Sequence, residues 1–203
     1  SDGSTIIIGV YGYDDTSNGN QGLIRVYTYS GSGTTWNQKG SDIIGGGTNQ
    51  SYGHIVKINN DGTRIFTGTD YYDRVIIWDY NSGTSEWDQI GSISIGNTVR
   101  SLSINNTGSR FVAGKDTADG QALIYEYSGT TWTKIGDFTA SDTGSSQDYE
   151  YVDMNGDGNI IAITGVNSSI YNPDATGTSN HNGGTKVYEY TGSGTTWNQK
   201  GNT

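Results

Sequence analysis

Aromatic side chains are the groups in this sequence best suited to bind a ligand. The chain has 15 Tyr, 5 Trp and 3 Phe among 203 residues, and aromatic rings serve sugar stacking as well as core packing. Rings that recur at one repeat position favour packing, whereas rings outside the repeat pattern favour a ligand. The candidate ligand residues are Tyr11, Tyr13, Tyr71 and Tyr72, together with His181 in the longest loop.

The residues that could catalyse a reaction form no recognisable motif. His54 and His181 have no Ser or Asp partner in a nucleophile motif, and no Gly-x-Ser-x-Gly elbow or phosphate-binding Gly-x-x-x-x-Gly-Lys loop occurs. Asp14 and Asp15 are adjacent, but neighbours along a strand point to opposite faces, so adjacency does not indicate an acid–base pair. The sequence predicts no enzyme and no required cofactor.

The charge of the chain excludes several kinds of partner. A formal charge of −10 with 11 basic residues opposes a nucleic-acid backbone and an anionic membrane. No run of about 18 apolar residues is present, so we expect no membrane insertion. The absence of cysteine rules out disulfides, thiolate metal sites and a cysteine nucleophile.

Three Asn-x-Ser/Thr triplets are candidate glycosylation sites. They begin at Asn49, Asn105 and Asn167. Such triplets suit a secreted glycoprotein, yet they also arise by chance in a chain this rich in Asn, Ser and Thr.

Four copies of one pattern organise the whole chain. The segment 27–40, YTYSGSGTTWNQKG, differs at two of fourteen positions from the segment 188–201, and degenerate copies lie between them. The tryptophans that mark the copies are Trp36, Trp87, Trp132 and Trp197. The repeats run approximately over 1–48, 49–97, 98–147 and 148–203, which we interpret as a single domain.

Each full repeat predicts four short antiparallel strands, A to D, joined at Asp-Gly and Ser-Gly turns. Strand C carries apolar residues on both faces, for example Ile77 and Trp78. A sheet that is apolar on both faces is typical of one packed between two others. The predicted fold is therefore an all-β propeller, or propeller segment, of four four-stranded blades.

The pattern of Ile-Ile-x-Gly, Val-Tyr-x-Tyr and Thr-Trp-x-Gln-x-Gly resembles the FG-GAP-like repeats of integrin-α-type propellers. The variant it looks closest to occurs in large surface proteins of bacteria and algal viruses. This resemblance covers nearly the whole chain. It implies adhesion, sugar binding or scaffolding without choosing among them.

The same resemblance implies a calcium site in the turn between strands A and B. Integrin-type propellers hold calcium there with Asp-x-Asn-x-Asp-Gly-x-x-Asp, and the fourth repeat matches with Asp153, Asn155 and Asp157. Ile161 replaces the last acidic ligand of that pattern. The alternative is that these residues form a hairpin turn chosen for its backbone angles.

The function predicted from these features is a non-enzymatic structural or adhesive module, located extracellularly or on a cell or virion surface. Its expected partners are proteins or further copies of itself. A lectin-like carbohydrate-binding propeller is the alternative, since variation is confined to loops.

The first repeat is expected to lack its A strand, because Ser1 falls in the A–B turn. Three completions are open: residues outside this sequence, a strand from another subunit, or a four-bladed ring that tolerates a three-stranded blade. A start at a turn and a stop just after strand D favour the first of these.

Overall fold

The protein is all-β, as its composition predicts. The computed structural model describes residues 2–15, 19–115, 121–139, 150–165 and 184–201, and every regular element in these ranges is a β-strand. In the same ranges, no helix is long and apolar enough to cross a membrane.

The chain divides into two compact units, Ser1–Val99 and Arg100–Thr203. The boundary between the units lies close to the predicted boundary between repeats two and three. Each unit therefore contains two repeats. The sequence predicted a single domain over 1–203, and the two units are described separately below.

The first unit contains two antiparallel sheets that follow one another along the chain. The first sheet contains β1 (Thr5–Val10), β2 (Leu23–Tyr29), β3 (Trp36–Gln38) and β4 (Ile43–Ile44). The second contains β5 (Ile55–Ile58), β6 (Arg64–Gly68), β7 (Arg74–Asn81) and β8 (Glu86–Ser94). Because β3 and β4 both pair with β2, they are two pieces of one D strand, and in the described residues no further strand pairs with β1.

The second unit also contains two four-stranded antiparallel sheets. One contains β9 (Val99–Ile104), β10 (Arg110–Lys115), β11 (Gln121–Tyr127) and β12 (Trp132–Thr139). The other contains β13 (Glu150–Met154), β14 (Ile160–Gly165), β15 (Gly184–Tyr190) and β16 (Trp197–Lys200). Strand order follows chain order in both, which is the meander expected of propeller blades.

An asparagine closes the A–B hairpin in three repeats. The Oδ1 atom of Asn59 accepts the amides of Thr63 and Arg64 at 2.8 and 2.9 Å. The corresponding residues are Asn105 and Asn155. The glycine of each turn, Gly62, Gly108 or Gly158, has φ between 64° and 75°, a conformation that glycine adopts without a steric penalty.

In the first unit, Trp87 of β8 joins the second sheet to the first. Its indole Nε1 donates to Lys39 O at 2.8 Å, and a Cβ at Gly40 would lie 2.6 Å from Trp87 Cδ1. Lys39 Nζ donates to Gly62 O at 2.6 Å and lies 4.4 Å from the ring centroid of Tyr80. The repeated tryptophan is therefore a residue of sheet-to-sheet packing.

The second unit repeats this contact with one change. Trp197 Nε1 donates to Ile135 O at 2.9 Å. The cation now comes from Arg110, whose Nη1 donates to Gly158 O at 3.0 Å and whose guanidinium carbon lies 4.7 Å from the ring centroid of Tyr190. In each unit, therefore, a cation from one sheet contacts a tyrosine ring and a turn carbonyl of the other sheet. This contact lies beside the indole.

A β-bulge makes the accepting carbonyl available. The register between β11 and β12 shifts between Ile124 and Tyr125, so that Ile135 is an extra residue in β12. A bulged residue is left out of the ladder of its own sheet. The carbonyl of Ile135 therefore accepts the indole of Trp197 instead.

Apolar residues from both sheets form a core within each unit. In the first unit the buried members of this core are Ile24, Val26, Tyr52, Ile65, Ile76 and Trp78. In the second they are Val112, Ala122, Ile124, Ile135, Phe138, Val152, Met154, Ile161, Ile163 and Tyr188. Ile77 and Trp78 are both buried on opposite faces of β7, so the prediction of a two-faced apolar sheet is confirmed.

Candidate functional site

A pocket opens at the edge of the second sheet of the first unit. Its volume is about 270 Å³, and we call it the Arg74 pocket. It is lined by Gln50, Tyr52, Tyr72, Arg74, Ile76, Gln89 and Ser92. Ligand pockets usually have a few placed polar groups on an apolar floor, and this pocket follows that pattern, at a volume just below the usual range of about 300–1,000 Å³.

Two strands and one connecting segment build this pocket. Arg74 and Ile76 are two residues apart on β7, so they share a face. Ser92 of β8 pairs directly with Ile76. The connecting segment contributes Tyr52, whose amide donates to Gln21 O at 3.1 Å and so fixes the segment against the end of β2.

Arg74 differs from three other arginines because it has no carboxylate partner among the described residues. Its Nη1 atom donates to Ser92 Oγ at 3.0 Å and to Ser92 O at 3.5 Å. The paired arginines are Arg25 with Asp42, Arg64 with Asp79 and Arg110 with Glu126. In a chain with a formal charge of −10, Arg74 offers a positive group that is not neutralised by an ion pair in the described residues.

Tyr52 supplies a buried phenol beside this cation. Its side chain is 9% exposed, and its ring lies edge-on to Trp78 with centroids 5.4 Å apart. Burial raises the pKa of Tyr52, and the nearby charge of Arg74 opposes that rise. The phenol therefore stays protonated at neutral pH and is able to donate a hydrogen bond.

The structure brings only one of the predicted ligand residues into this pocket. Tyr72 lines it, whereas Tyr71 is 67% exposed outside it. Tyr11 lies edge-on to His54, with ring centroids 5.8 Å apart. The amide of Tyr13 bonds to the backbone of Val10. His181 lies outside the described residues.

Sequence reasoning missed Arg74, Gln50 and Gln89. A signal was present at Arg74, because the same position of strand C holds Leu23, Gln121 and Gly184 in the other repeats. A residue that departs from its repeat marks a position that packing does not dictate. Gln89 carries no comparable signal, because Gln38 and Gln199 occupy the same strand D position in other repeats. Gln50 lies in a connecting segment and carries none either.

The candidate calcium residues take part in turn and strand contacts. Asn155 Oδ1 accepts hydrogen bonds from the backbone amides of Asn159 and Ile160, at 3.0 and 2.9 Å. These two bonds close the hairpin. Asp153 Oδ1 accepts from Ser103 Oγ at 2.7 Å. Because both lone pairs of Asn155 Oδ1 are used by amides, the turn itself accounts for this asparagine. Calcium binding at Asp153, Asn155 and Asp157 stays a prediction.

The described residues contain no group of three or more His, Cys, Asp or Glu side chains that could hold a metal ion. Of the candidate glycosylation sites, Asn105 is 5% exposed and its side chain closes a turn, which disfavours a glycan there. Asn49 lies in a loop with φ of 59°. Asn167 lies outside the described residues.

Solved structures with a similar fold include two proteins from Bacteroides that bear the provisional name 6-phosphogluconolactonase. The one from Bacteroides uniformis has a TM-score of 0.59 at 13% identity, over 96% of this chain and 53% of its own. The one from Bacteroides fragilis has a TM-score of 0.58 at 13% identity, over 87% of this chain and 47% of its own.

A hydrazine synthase from Kuenenia stuttgartiensis is also similar, with a TM-score of 0.52 at 16% identity over 82% of this chain and 44% of its own. This chain spans about half the length of these structures. The sequence matches no protein-family model and no curated protein. At such identities the likeness shows the fold, and the predicted fold class of propeller blades is confirmed.

The predicted function is wrong on this comparison. A non-enzymatic surface module for adhesion or scaffolding was expected, with a lectin-like propeller as the alternative, whereas two neighbours carry the name of a lactonase. The sequence also predicted no enzyme, and the names of these two neighbours do not support that prediction. The resemblance to FG-GAP-like repeats stays a prediction.

Proposed function

We propose that this protein acts on a small anionic sugar derivative, such as a phosphorylated sugar lactone, bound in the Arg74 pocket. The observation that carries the proposal is the guanidinium of Arg74, which lines a pocket without a carboxylate partner among the described residues. A guanidinium pairs with phosphate or carboxylate through two parallel hydrogen bonds.

The neutral lining of the pocket suits the remainder of such a substrate. Gln50, Gln89 and Ser92 carry side chains that both donate and accept hydrogen bonds, as sugar hydroxyls do. Tyr52 adds a donor that burial keeps protonated. The pocket therefore offers one cation for an anionic group and several neutral polar side chains for hydroxyl groups. A small sugar derivative with one anionic group has this combination.

The names of the structural neighbours support lactone hydrolysis as the reaction. Water adds to the lactone carbonyl, the ring carbon–oxygen bond breaks, and the ring oxygen takes a proton. Arg74 either holds the phosphate or stabilises the negative charge that develops on the carbonyl oxygen. Both roles require its positive charge.

We expect purified protein to accelerate acid release from 6-phosphogluconolactone, followed at neutral pH by titration against base. Arg74→Gln should lower the protein-dependent rate at least about tenfold, since a hydrogen bond to a charged group contributes about 1.5–3 kcal/mol. Arg25→Gln is the matched control, because it removes the same charge from an arginine paired with Asp42.

Equal rates with and without the protein would contradict the proposed reaction. Equal loss in Arg74→Gln and Arg25→Gln would contradict the role of the Arg74 pocket, since it would assign the effect to net charge.

A further inference from the structure

The sheet-to-sheet contact has the same two parts in each unit. One sheet contributes a donor face, and the other contributes an acceptor edge. The donor face presents an indole N–H beside a tyrosine ring and a turn carbonyl, as at Trp87, Tyr80 and Gly62. The acceptor edge presents a D-strand carbonyl followed by glycine, as at Lys39 and Gly40. We call these the indole face and the lysine–glycine edge.

The first blade has an indole face whose side chains are exposed. Trp36 is 38% exposed, and no described residue accepts a hydrogen bond from its Nε1 atom. Apolar residues of the same face are exposed as well, with Ile8 and Val10 both 45% exposed. The residues that match Ile8 in the second and fourth blades, Thr67 and Ile163, are fully buried.

A cavity of about 360 Å³ lies on this face and is lined by Asp2, Gly3, Ser4, Tyr29 and Trp36. Gly3, Tyr29 and Trp36 are the counterparts of Gly62, Tyr80 and Trp87 in the next repeat. The counterpart groups in the first unit hold the ammonium of Lys39. In the second unit the matching groups hold the guanidinium of Arg110.

The carboxyl-terminal blade carries the matching edge. Residues 197–201, Trp-Asn-Gln-Lys-Gly, are identical to residues 36–40. Gly201 has φ of 83°, close to the 76° of Gly40, but nothing lies within 4 Å of the position of a Cβ there. Lys200 pairs with Glu189 at 3.0 Å, and both side chains are more than 40% exposed. Such an exposed pair is weak, so Lys200 is able to leave it.

We propose that the indole face of one chain binds the lysine–glycine edge of a second copy. Trp36 Nε1 then donates to the carbonyl of Lys200 of the second copy, and the ammonium of that lysine enters the cavity between Gly3 and Tyr29. The contact inside the first unit shows this arrangement made by the same five-residue sequence. The exposed apolar residues of β1 become buried in the contact, which supplies its hydrophobic contribution.

Because the face and the edge are different surfaces, the contact is heterologous. Each chain that binds one neighbour still offers its other surface, so copies add head to tail into rings or filaments. A variant that blocks either surface should therefore not associate with itself. Two variants, one blocked at the indole face and the other at the lysine–glycine edge, should still form a dimer through their two intact surfaces.

The test uses two variants. Trp36→Ala removes the indole. Gly201→Asn places a side chain where Trp36 must dock, and asparagine tolerates the left-handed backbone conformation of this position. Sedimentation should show that the wild-type chain associates as its concentration rises. Each variant alone should stay monomeric, with its self-association weakened at least about 30-fold, as expected for a buried aromatic anchor. An equimolar mixture of the two variants should form a one-to-one dimer and nothing larger.

Gly192→Asn is the control for the glycine variant, because Gly192 also has positive φ with nothing within 4 Å, but lies in the β15–β16 hairpin. It should associate like the wild type. If Trp36→Ala fails to fold, Ile8→Glu blocks the same face from an exposed position.

A wild-type chain that stays monomeric would overturn the proposal and leave the indole face to some other occupant, such as a further blade of a longer chain. A mixture that contains only monomers would overturn it too, as would self-association that survives in Gly201→Asn. Association should strengthen with added salt up to about 0.15 M, because screening reduces the repulsion between chains of charge −10.

Discussion

Replacing Trp87 by alanine should lower the free energy of unfolding of the first unit by about 2–4 kcal/mol. The change removes the hydrogen bond to Lys39 O, the ring contact with Tyr80 at 5.2 Å, and part of the surface against which Lys39 packs. Urea denaturation followed by circular dichroism, with amide exchange in the strands of the first unit, measures the loss.

Trp36→Ala is the matched control for this change. Trp36 occupies the same position of its repeat and contacts Tyr29 at 5.3 Å between ring centroids, but it is 38% exposed. In dilute, monomeric protein it should cost about 1 kcal/mol or less. Equal losses in the two variants would show that the indole contributes through its own hairpin rather than through the neighbouring sheet.

Gly9→Ala should destabilise the first unit by about 3 kcal/mol or more, because the added methyl group has no space. A Cβ at Gly9 would lie 2.2 Å from Gly53 O and 2.7 Å from Gly53 Cα. Gly53 is itself anchored, since its amide donates to Thr67 Oγ1 at 2.9 Å in the second sheet. Both partners of the clash are backbone, so neither is able to move aside cheaply.

Gly12→Ala controls for the general effect of replacing glycine in this region. Nothing lies within 4 Å of a Cβ at Gly12. We expect its unfolding midpoint to match the wild type or to rise slightly, because alanine reduces the entropy of the unfolded chain. A Gly9→Ala protein as stable as Gly12→Ala would contradict the close approach of β1 to Gly53.

The strands were predictable because their signals are local and repeated. Alternating apolar residues between Asp-Gly and Ser-Gly turns mark β6 and β7, and the fourfold recurrence averages out chance. The recurrence of Trp87 and Trp197 at one position also identified them correctly as packing residues.

The partner of each indole could not be predicted. The hydrogen bond from Trp87 to Lys39 O joins residues 48 apart, and the bond from Trp197 to Ile135 O joins residues 62 apart. The bond from Trp197 depends on a bulge in β12, which arises from the register of the sheet and not from a residue type. A carbonyl, moreover, leaves no trace in the sequence.

The Arg74 pocket was only partly predictable. Tyr72 was identified because it lies in a loop that varies between repeats, whereas Tyr52 and Gln89 reach the pocket from segments far apart in the chain. What distinguishes Arg74 is the absence of a carboxylate neighbour among the described residues. That property belongs to the folded arrangement, so only the structure reveals it.

Binding of a stable anionic sugar tests the central claim most directly. Calorimetric titration should show 6-phosphogluconate binding more tightly than gluconate, and glucose binding least, because Arg74 selects for negative charge. Arg74→Gln should weaken the binding of 6-phosphogluconate about 10- to 100-fold, while Arg25→Gln should bind like the wild type. Equal affinity for 6-phosphogluconate in the wild type and Arg74→Gln, or no measurable binding in either, would contradict the assignment of this pocket.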